Sequence, residues 1–429
     1  MLIWKLIYNI IVLPVFLILL IPGQLIFPKI RRTVREHRGL WERTTEALKK
    51  RKKKKLIWIH AASAGEYLQG KPLIEEFSRI GYDCFLTLTS VSGYRWVRAE
   101  KNSSLLHFEY YPFDLPFSAT RFIDIVKPDA IVFIKTDLWP NLVWKARKKE
   151  IPLYLVSASL SRYSGKYNSK YVRSYYCSLV NSMKEIMTVE KEDAELFQEI
   201  VQKKVTVSVM GDSRYESVVK RKKESPKYKL PLVTKNTIIF GSLRRAEFNI
   251  VLPVLFEILK NKPNIQAIIA PHEIDDDTLN KLEQYLSEYK LTRFSTLQKK
   301  TGTQIKTDKS CRIIVIDTIG HLFSLYQNAF LAYVGGGFSS GVHNTLEPGV
   351  MGLPIIIGPK YWKFREAVGM VKEGIIYAAE SPLDLPDIFN SLLSNSTKRE
   401  MSGKKALKYI SERSGVSKKI VKKIAGSEN

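Results

Sequence analysis

The sequence predicts an α/β protein of two Rossmann-like, doubly wound domains facing a cleft, preceded by an N-terminal membrane-anchoring helix. Three observations carry this reading. The chain has 429 residues, too many for one ordinary core and enough for two of about 150–200 residues each. Apolar, strand-like runs alternate with helical patterns in both halves, as parallel sheets flanked by helices require. Most of these runs break off at small or polar residues on their carboxyl side, the edge where open α/β sheets bind ligands.

The first element is LIWKLIYNIIVLPVFLILLIPGQLIF (2–27), in which only Lys5, Asn9 and Gln24 are strongly polar. It is just long enough to cross about 30 Å of hydrocarbon. Its apolar region is too long for a cleaved signal peptide, and no small-residue cleavage pattern follows. Pro14 leaves open a kinked or interfacial helix in place of a clean span. The basic flank KIRRTVREHR (29–38) stays on the cytoplasmic side by the positive-inside rule, so an inner-membrane location with the domains on the cytoplasmic face is expected. We assign the anchor to residues 1–25.

A first domain over 26–218 is read from LIWIHAAS (56–63), CFLTLTS (84–90), DAIVFIKTDLWPN (129–141), IPLYLVSAS (151–159) and EIMTVEKEDAELFQEI (185–200). The sequence then shifts to charge and proline, which predicts a linker at 219–236. The second domain, 237–429, begins again with TIIFGS (237–242). It continues through IQAIIAPHE (265–273), RIIVIDTIG (312–320), LAYVGGG (331–337) and LPIIIGP (353–359). Its last helix is free to pack back on the first domain.

Hydrophobic residues make up 45% and charged residues 26% of the chain, a globular balance that excludes a disordered protein. Lys and Arg number 68 against 42 Asp and Glu, a net charge of +26, much of it clustered in RRTVREHR, KKRKKKK (49–55) and KRKK (220–223). An anionic membrane surface suits these clusters better than nucleic acid, because each Lys or Arg near such a surface contributes about 1 kcal/mol and the clusters lie beside an apolar anchor. A solvated face is the plain alternative for any single run. Cys84, Cys177 and Cys311 lie far apart, giving neither a disulfide framework nor a metal spacing, and a reducing compartment is expected. HExxH is absent and the cysteines are not clustered, so no metal is expected.

Residues 335–366, GGGFSSGVHNTLEPGVMGLPIIIGPKYWKFRE, are the most informative stretch. Glycines after a buried strand let main-chain N–H groups of Gly336 and Gly337 approach a phosphate or ribose. A helix over 344–352 with Asn344 near its cap would place His343 and Glu347 at its first turn, where a carboxylate accepts from a sugar diol. The plain alternative is a flexible loop and a capped helix. In GSLRRAE (241–247), Ser242, Arg244 and Arg245 follow a strand as possible phosphate or donor contacts. His272 and His321 sit at equivalent strand ends. Glu66, in HAASAGE, opens a helix whose dipole favours a carboxylate. It reads either as an ordinary first-turn glutamate or as a base, with small neighbours that leave room for a bulky acceptor.

At these residues the chain resembles the Kdo transferases, the CMP-dependent 3-deoxy-D-manno-octulosonic acid (Kdo) transferases of lipopolysaccharide biosynthesis, which have the two-domain GT-B glycosyltransferase fold. The similarity runs through IHAASAGE, DLWPN, SASLS (157–161), GDSRYES (211–217), FGSLRRAE, APHE, DTIG and the glycine-rich stretch, in order. It implies a catalytic base at Glu66, with Arg214 stabilising the departing phosphate. It further implies CMP contacts from Pro271 and His272, from Ile319, Gly320 and His321, and from Asn344, Thr345, Leu346 and Glu347.

The chain also departs from the family pattern. His272 stands where an arginine is usual, and Lys135 and Asp137 replace two glutamates before LWPN, leaving their role open. Leu243, Arg244, Arg245 and Ala246 replace small and acidic residues, and Arg244 or Arg245 is expected to compensate for the arginine missing at 272. The implied reaction is an inverting transfer of Kdo from CMP-Kdo to a lipid A precursor (lipid IVA-type), through the N-terminal acceptor-binding and C-terminal CMP-Kdo-binding domains. Cofactor, metal and nucleic acid are not expected. A GT-B enzyme using a UDP-sugar, such as a lipid disaccharide synthase, is the alternative. A non-catalytic basic protein that binds membrane or nucleic acid is a more distant one.

Overall fold

The computed structural model describes residues 1–53, 55–228, 230, 236–299 and 311–426. Two compact units are formed, residues 1–217 with 413–429, and residues 218–412.

The first unit is built on a seven-stranded parallel sheet. Its strands are β1 (Leu56–His60), β2 (Asp83–Leu88), β3 (His107–Tyr110), β4 (Ala130–Ile134), β5 (Leu153–Ala158), β6 (Glu185–Thr188) and β7 (Thr206–Val209). They run in the order β3-β2-β1-β4-β5-β6-β7. Every residue of β1, β4 and β5 is buried, as expected of strands covered by helices on both faces. Trp58, Phe85, Phe122 and Phe133 fill one side. Ile57, Ile59, Tyr67 and Ile74 fill the other, where the last helix, Val416–Gly426, adds Val416, Ile420, Val421 and Ile424. The strand order reverses between β1 and β4, so the connections that follow them leave toward opposite faces of the sheet and open the crevice in which doubly wound sheets place ligands.

The second unit repeats the plan with β8 (Thr237–Leu243), β9 (Gln266–Pro271), β10 (Leu291–Arg293), β11 (Ile313–Val315), β12 (Leu331–Val334), β13 (Ile355–Ile357) and β14 (Ile376–Ala378). The order is β10-β11-β9-β8-β12-β13-β14, with the reversal between β8 and β12. Ile238, Phe240, Val251, Leu255 and Tyr333 pack one face, and Ile239, Ile268, Ile314 and Leu325 the other.

The apolar N-terminus is helical over Leu2–Ile7, π-helical over Tyr8–Val12 and α-helical again over Leu13–Ile26. Pro14 has no N–H for the carbonyl one turn back, and the wider turn immediately precedes it. Phe27 is extended and Pro28 opens the next helix, Pro28–Glu36, at a position that needs no N–H.

Two expectations are corrected. The linker expected at 219–236 begins inside a helix, Arg214–Glu224, because its charged residues are good helix formers and the first proline after them is Pro226. Residues 229 and 231–235 of that stretch lie outside the described residues. The helix expected over 344–352 is the shorter Leu346–Val350, capped at Thr345. Gly352 has a φ of +80°, which ends the helical path.

The glycines after β12 serve close packing. A Cβ on Gly335 would lie 2.3 Å from the carbonyl oxygen of Ser242, and one on Gly337 would lie 2.5 Å from the amide nitrogen of Gly358. Backbone cannot yield as a side chain can. Gly337→Ala should therefore destabilise the second unit by about 3 kcal/mol, the upper end for overpacking, measured by denaturant unfolding against the unsubstituted chain.

Candidate active site

At the switch point of the first unit, Ser63 caps the helix Ala64–Arg79 and its Oγ accepts from the Glu66 amide at 3.3 Å. The Glu66 side chain turns back so that Oε2 accepts from the Ala62 amide at 2.6 Å. Burial raises the Glu66 carboxyl above its ordinary range, and the Asp137 charge adds to the rise. The Ala62 hydrogen bond and the charges of His60 and Lys135 oppose it.

Asp137 follows β4, its Oδ2 3.5 Å from Nε2 of the fully buried His60. Trp139 Nε1 donates to the same nitrogen at 3.0 Å, and His60 Nδ1 meets Thr87 Oγ1 at 2.8 Å. Burial pushes Asp137 up, but the contact with His60 and the Lys166 charge outweigh it and hold the carboxyl below its usual range. Lys166 Nζ donates to the Thr136 carbonyl at 3.3 Å. Burial pulls this ammonium down, while Asp137 and Glu66 pull it up. Lys135 is exposed and has a φ of +71°. Glu66, Lys135 and Asp137 thus form one cluster with His60 and Lys166.

Arg214 opens its helix with the backbone N–H and Nε donating to the buried Asp212 at 2.9 and 2.8 Å. Gln69, one turn after Glu66, donates to the same carboxylate at 3.1 Å. The Arg214 guanidinium is therefore oriented by a carboxylate tied to the Glu66 helix.

In the second unit, Pro271 ends β9 in register with Leu243. The ring of His272 stacks on that of His343 at 4.1 Å. Arg244 donates from Nε to His343 Nε2 and has its NH2 against His272 Nε2, both at 3.2 Å. Burial lowers His343 to about 4, with the His272 and Arg244 charges adding to it. His272 is lowered by burial and by Arg244. Ser242 has a φ of +52° at the break in register between β8 and β9, an irregularity that re-aims the chain into Arg244. Arg245 turns elsewhere and pairs with Asp277.

The expected use of the Gly336 amide is corrected. It donates to Oε2 of the fully buried Glu247 at 2.7 Å, and the Phe338 amide donates to Oε1 at 2.8 Å. The carboxylate thereby occupies an anion position within the loop. Gly337 accepts from the Lys360 amide at 2.9 Å.

Asn344 Oδ1 accepts from the Leu346 amide at 3.0 Å, so it turns the chain ahead of the helix. Thr345 is fully buried with its Oγ1 unpaired. Glu347 is raised by burial and opposed by Arg221, whose NH1 donates to Oε1 at 2.8 Å. The carboxylate expected to meet a sugar diol therefore already holds a guanidinium. On a third strand end, Gly320 has a φ of +95° and Ile319 is 79% exposed, an apolar face open to a planar ring. His321 Nδ1 lies 2.7 Å from the Tyr228 hydroxyl.

Sequence reasoning missed His60, Lys166, Arg221 and Glu247. Glu247 and His60 stood inside quoted motifs, and Arg221 in a charge run read as linker. Lys166 carried no signal. Among the described residues, no group of three or more His, Cys, Asp and Glu side chains is placed to hold a metal ion.

The depressed His343 makes a stability prediction. Between about 4 and the ordinary 6.5, the unfolded chain binds the proton that folded His343 refuses, so unfolding free energy rises with pH in that window. This contribution is complete above pH 6.5 and lost as pH falls toward 4. His343→Phe should flatten that slope in urea melts from pH 4 to 7.

Residues 34–217 match the family model of 3-deoxy-D-manno-octulosonic-acid transferase (kdotransferase). The chain is 25% identical over 374 residues to the 3-deoxy-D-manno-octulosonic acid transferase of Haemophilus influenzae, covering 85% of each. It is 26% identical to that of Aquifex aeolicus, covering 79% of this chain and 86% of the relative. In fold it is similar to UDP-GlcNAc 2-epimerase from Neisseria meningitidis bound to UDP-GlcNAc. That likeness has a TM-score of 0.57 at 14% identity and covers 84% of this chain and 99% of the other. The enzyme of the same name from Methanocaldococcus jannaschii gives 0.56 at 15%, covering 83% and 99%. The two parallel-sheet domains are thus GT-B-like, and over most of its length the chain is similar to 3-deoxy-D-manno-octulosonic acid transferases, which are glycosyltransferases.

Proposed function

We propose that this Kdo transferase moves Kdo from CMP-Kdo to a lipid A precursor, with inversion at the anomeric carbon and release of CMP. The observation that carries the reading is Glu66, a carboxylate raised by burial at the carboxyl end of β1, inside the region that matches the family model. Glu66 removes the proton of the acceptor hydroxyl, whose oxygen then bonds to the anomeric carbon of Kdo from the face opposite the phosphate. The bond from that carbon to the phosphate oxygen breaks, and its electron pair leaves with CMP. Arg244, held between His272 and His343, and Arg214, oriented by Asp212, offset the charge on the leaving phosphate. Ile319 offers an apolar face to the cytosine, and Asn344 to Glu347 lie at the helix start for the ribose. A cofactor or metal has no step in this scheme.

Glu66→Gln should keep CMP binding and lose turnover by about 100-fold or more. A base with a raised pKa is active above it, so kcat/KM should rise with pH through a value above the ordinary carboxylate range. The readout is CMP release with a lipid A precursor as acceptor. Unchanged turnover in the variant would move the base elsewhere.

We also infer that the apolar helix Leu2–Ile26 lies along the membrane surface and does not cross it. Trp4 Nε1 donates to Ser174 Oγ at 3.0 Å, and the amides of Asn9 and Asn141 exchange hydrogen bonds at 2.8 and 3.2 Å. At its other end, the chain returns to the same unit through His37, whose Nε2 lies 3.1 Å from the Tyr111 carbonyl. A helix held to one domain at Trp4, at Asn9 and, by the ring contact of Phe16 with Phe113 at 6.3 Å, at its middle runs along that domain and does not carry one end about 30 Å across the hydrocarbon. Ile3, Ile10, Ile18, Leu19, Ile21 and Leu25 are all at least 63% exposed, an apolar surface suited to the acyl boundary. A protease-sensitive tag before Met1 should thus be cut from the same side of the membrane as one after Asn429, and opposite sidedness would establish a span.

A further inference from the structure

The anchor helix leaves an open cavity of about 270 Å³ against the helix Lys170–Val180 of its own unit. Its walls are the side chains of Trp4, Ile7, Tyr8, Tyr171, Val172 and Tyr175. Trp4 meets Tyr175 edge-on at 5.6 Å, and Tyr8 meets Trp144 at 5.9 Å, which fixes the floor. The indole N–H of Trp4 is taken by Ser174, so that wall presents ring carbon. Tyr171 and Val172 are 73% and 44% exposed. The apolar surface therefore continues from the anchor onto the domain itself, where a solvated face would be polar.

The surroundings of the groove bear on its occupant. Cations lie close to the start of the anchor: Lys5 depresses Lys145 together with Lys148 and Lys149, after burial, and Arg147 NH1 lies 3.6 Å from Met1 Sδ. They lie where the helix Pro140–Lys148 leads into β5, at the edge of the sheet opposite Glu66, and suit the phosphates of the bilayer around the anchor. The helix that forms one wall also leads to the cluster around Glu66. Lys166 Nζ lies 5.1 Å over the ring of Tyr176, the neighbour of Tyr175, and donates to the Thr136 carbonyl beside Asp137.

We infer that this groove seats one acyl chain of the glycolipid acceptor, holding its sugar head group in register with Glu66. The inference rests on the lipid-acceptor reading above. A bilayer lipid would fill the same walls without needing their link to the Glu66 cluster, so the acceptor is the occupant that accounts for both.

The test uses the full chain in detergent micelles with two acceptors, a lipid A precursor and the same precursor stripped of its acyl chains. Filling the groove with Ile7→Phe and Val172→Phe together should raise KM for the acylated acceptor by about tenfold or more, since each buried methylene is worth about fourfold in affinity. Turnover number, and KM for the stripped acceptor, should stay within twofold. Equal effects on both acceptors, or none on the acylated one, would overturn the inference.

A second measurement is independent of transfer. A precursor brominated on its acyl chains should quench the fluorescence that is lost in Trp4→Phe. Brominated phospholipid at the same mole fraction should quench it at least tenfold less. Equal quenching would assign the groove to bilayer lipid and sink the proposal. Quenching by the brominated precursor with no transfer to either acceptor would keep the groove and overturn the transferase reading instead.

Discussion

A parallel sheet covered by helices on both faces can carry polar side chains only where its strands end, and this constraint decides where each unit of the protein does chemistry. At both switch points the connections leave paired strands toward opposite faces of the sheet, and the chain must turn sharply. Lys135, directly after β4, and Ser242, near the end of β8, both adopt left-handed backbone conformations that non-glycine residues rarely hold. Gly335 then approaches the Ser242 carbonyl more closely than any Cβ would allow. The side chains that follow these turns, Asp137 in one unit and Arg244 in the other, are aimed by backbone geometry.

The two edges handle charge differently. Around Glu66 the groups carry opposite charges at short range, with two carboxylates and two lysines perturbing one another while the buried His60 and Trp139 hold Asp137 in place. Such a cluster splits its two carboxylates, one above and one below the usual range, the division expected of a site in which one takes up a proton and the other stays ionised. Around Arg244 a single guanidinium lies between two imidazoles that burial keeps neutral. Neutral rings can accept its hydrogen bonds without cancelling its charge.

Much of the fold was legible because buried parallel strands are continuous apolar runs. LIWIH, AIVFI and TIIFGSL announced themselves in this way. The partly exposed strands β3, β7 and β10 did not, since they carry no continuous apolar run. The residues at strand ends were equally legible as a set. Their partners were not, because pairing is tertiary: nothing local says that Arg221, in a lysine-rich run, reaches Glu347, 126 positions on. Lys166 illustrates the limit, a lone lysine between serines and tyrosines that becomes half-buried only when its helix is laid beside β4.

The glycine-rich loop shows how a correct location can come with the wrong mechanism. Read as bare backbone, GGG offers amides to an anion, yet the anion is supplied by the protein: Glu247 takes the Gly336 and Phe338 amides. A buried carboxylate already neutralised by main-chain donors leaves that loop little positive potential for a phosphate. The charge must then come from a side chain, and Arg244 is the cation that the histidines hold at this edge. The histidine at 272, which resemblance to the family makes a departure from arginine, is a poor phosphate clamp but a good acceptor for a guanidinium. The imidazole at 272 thus supports the arginine of the neighbouring strand end.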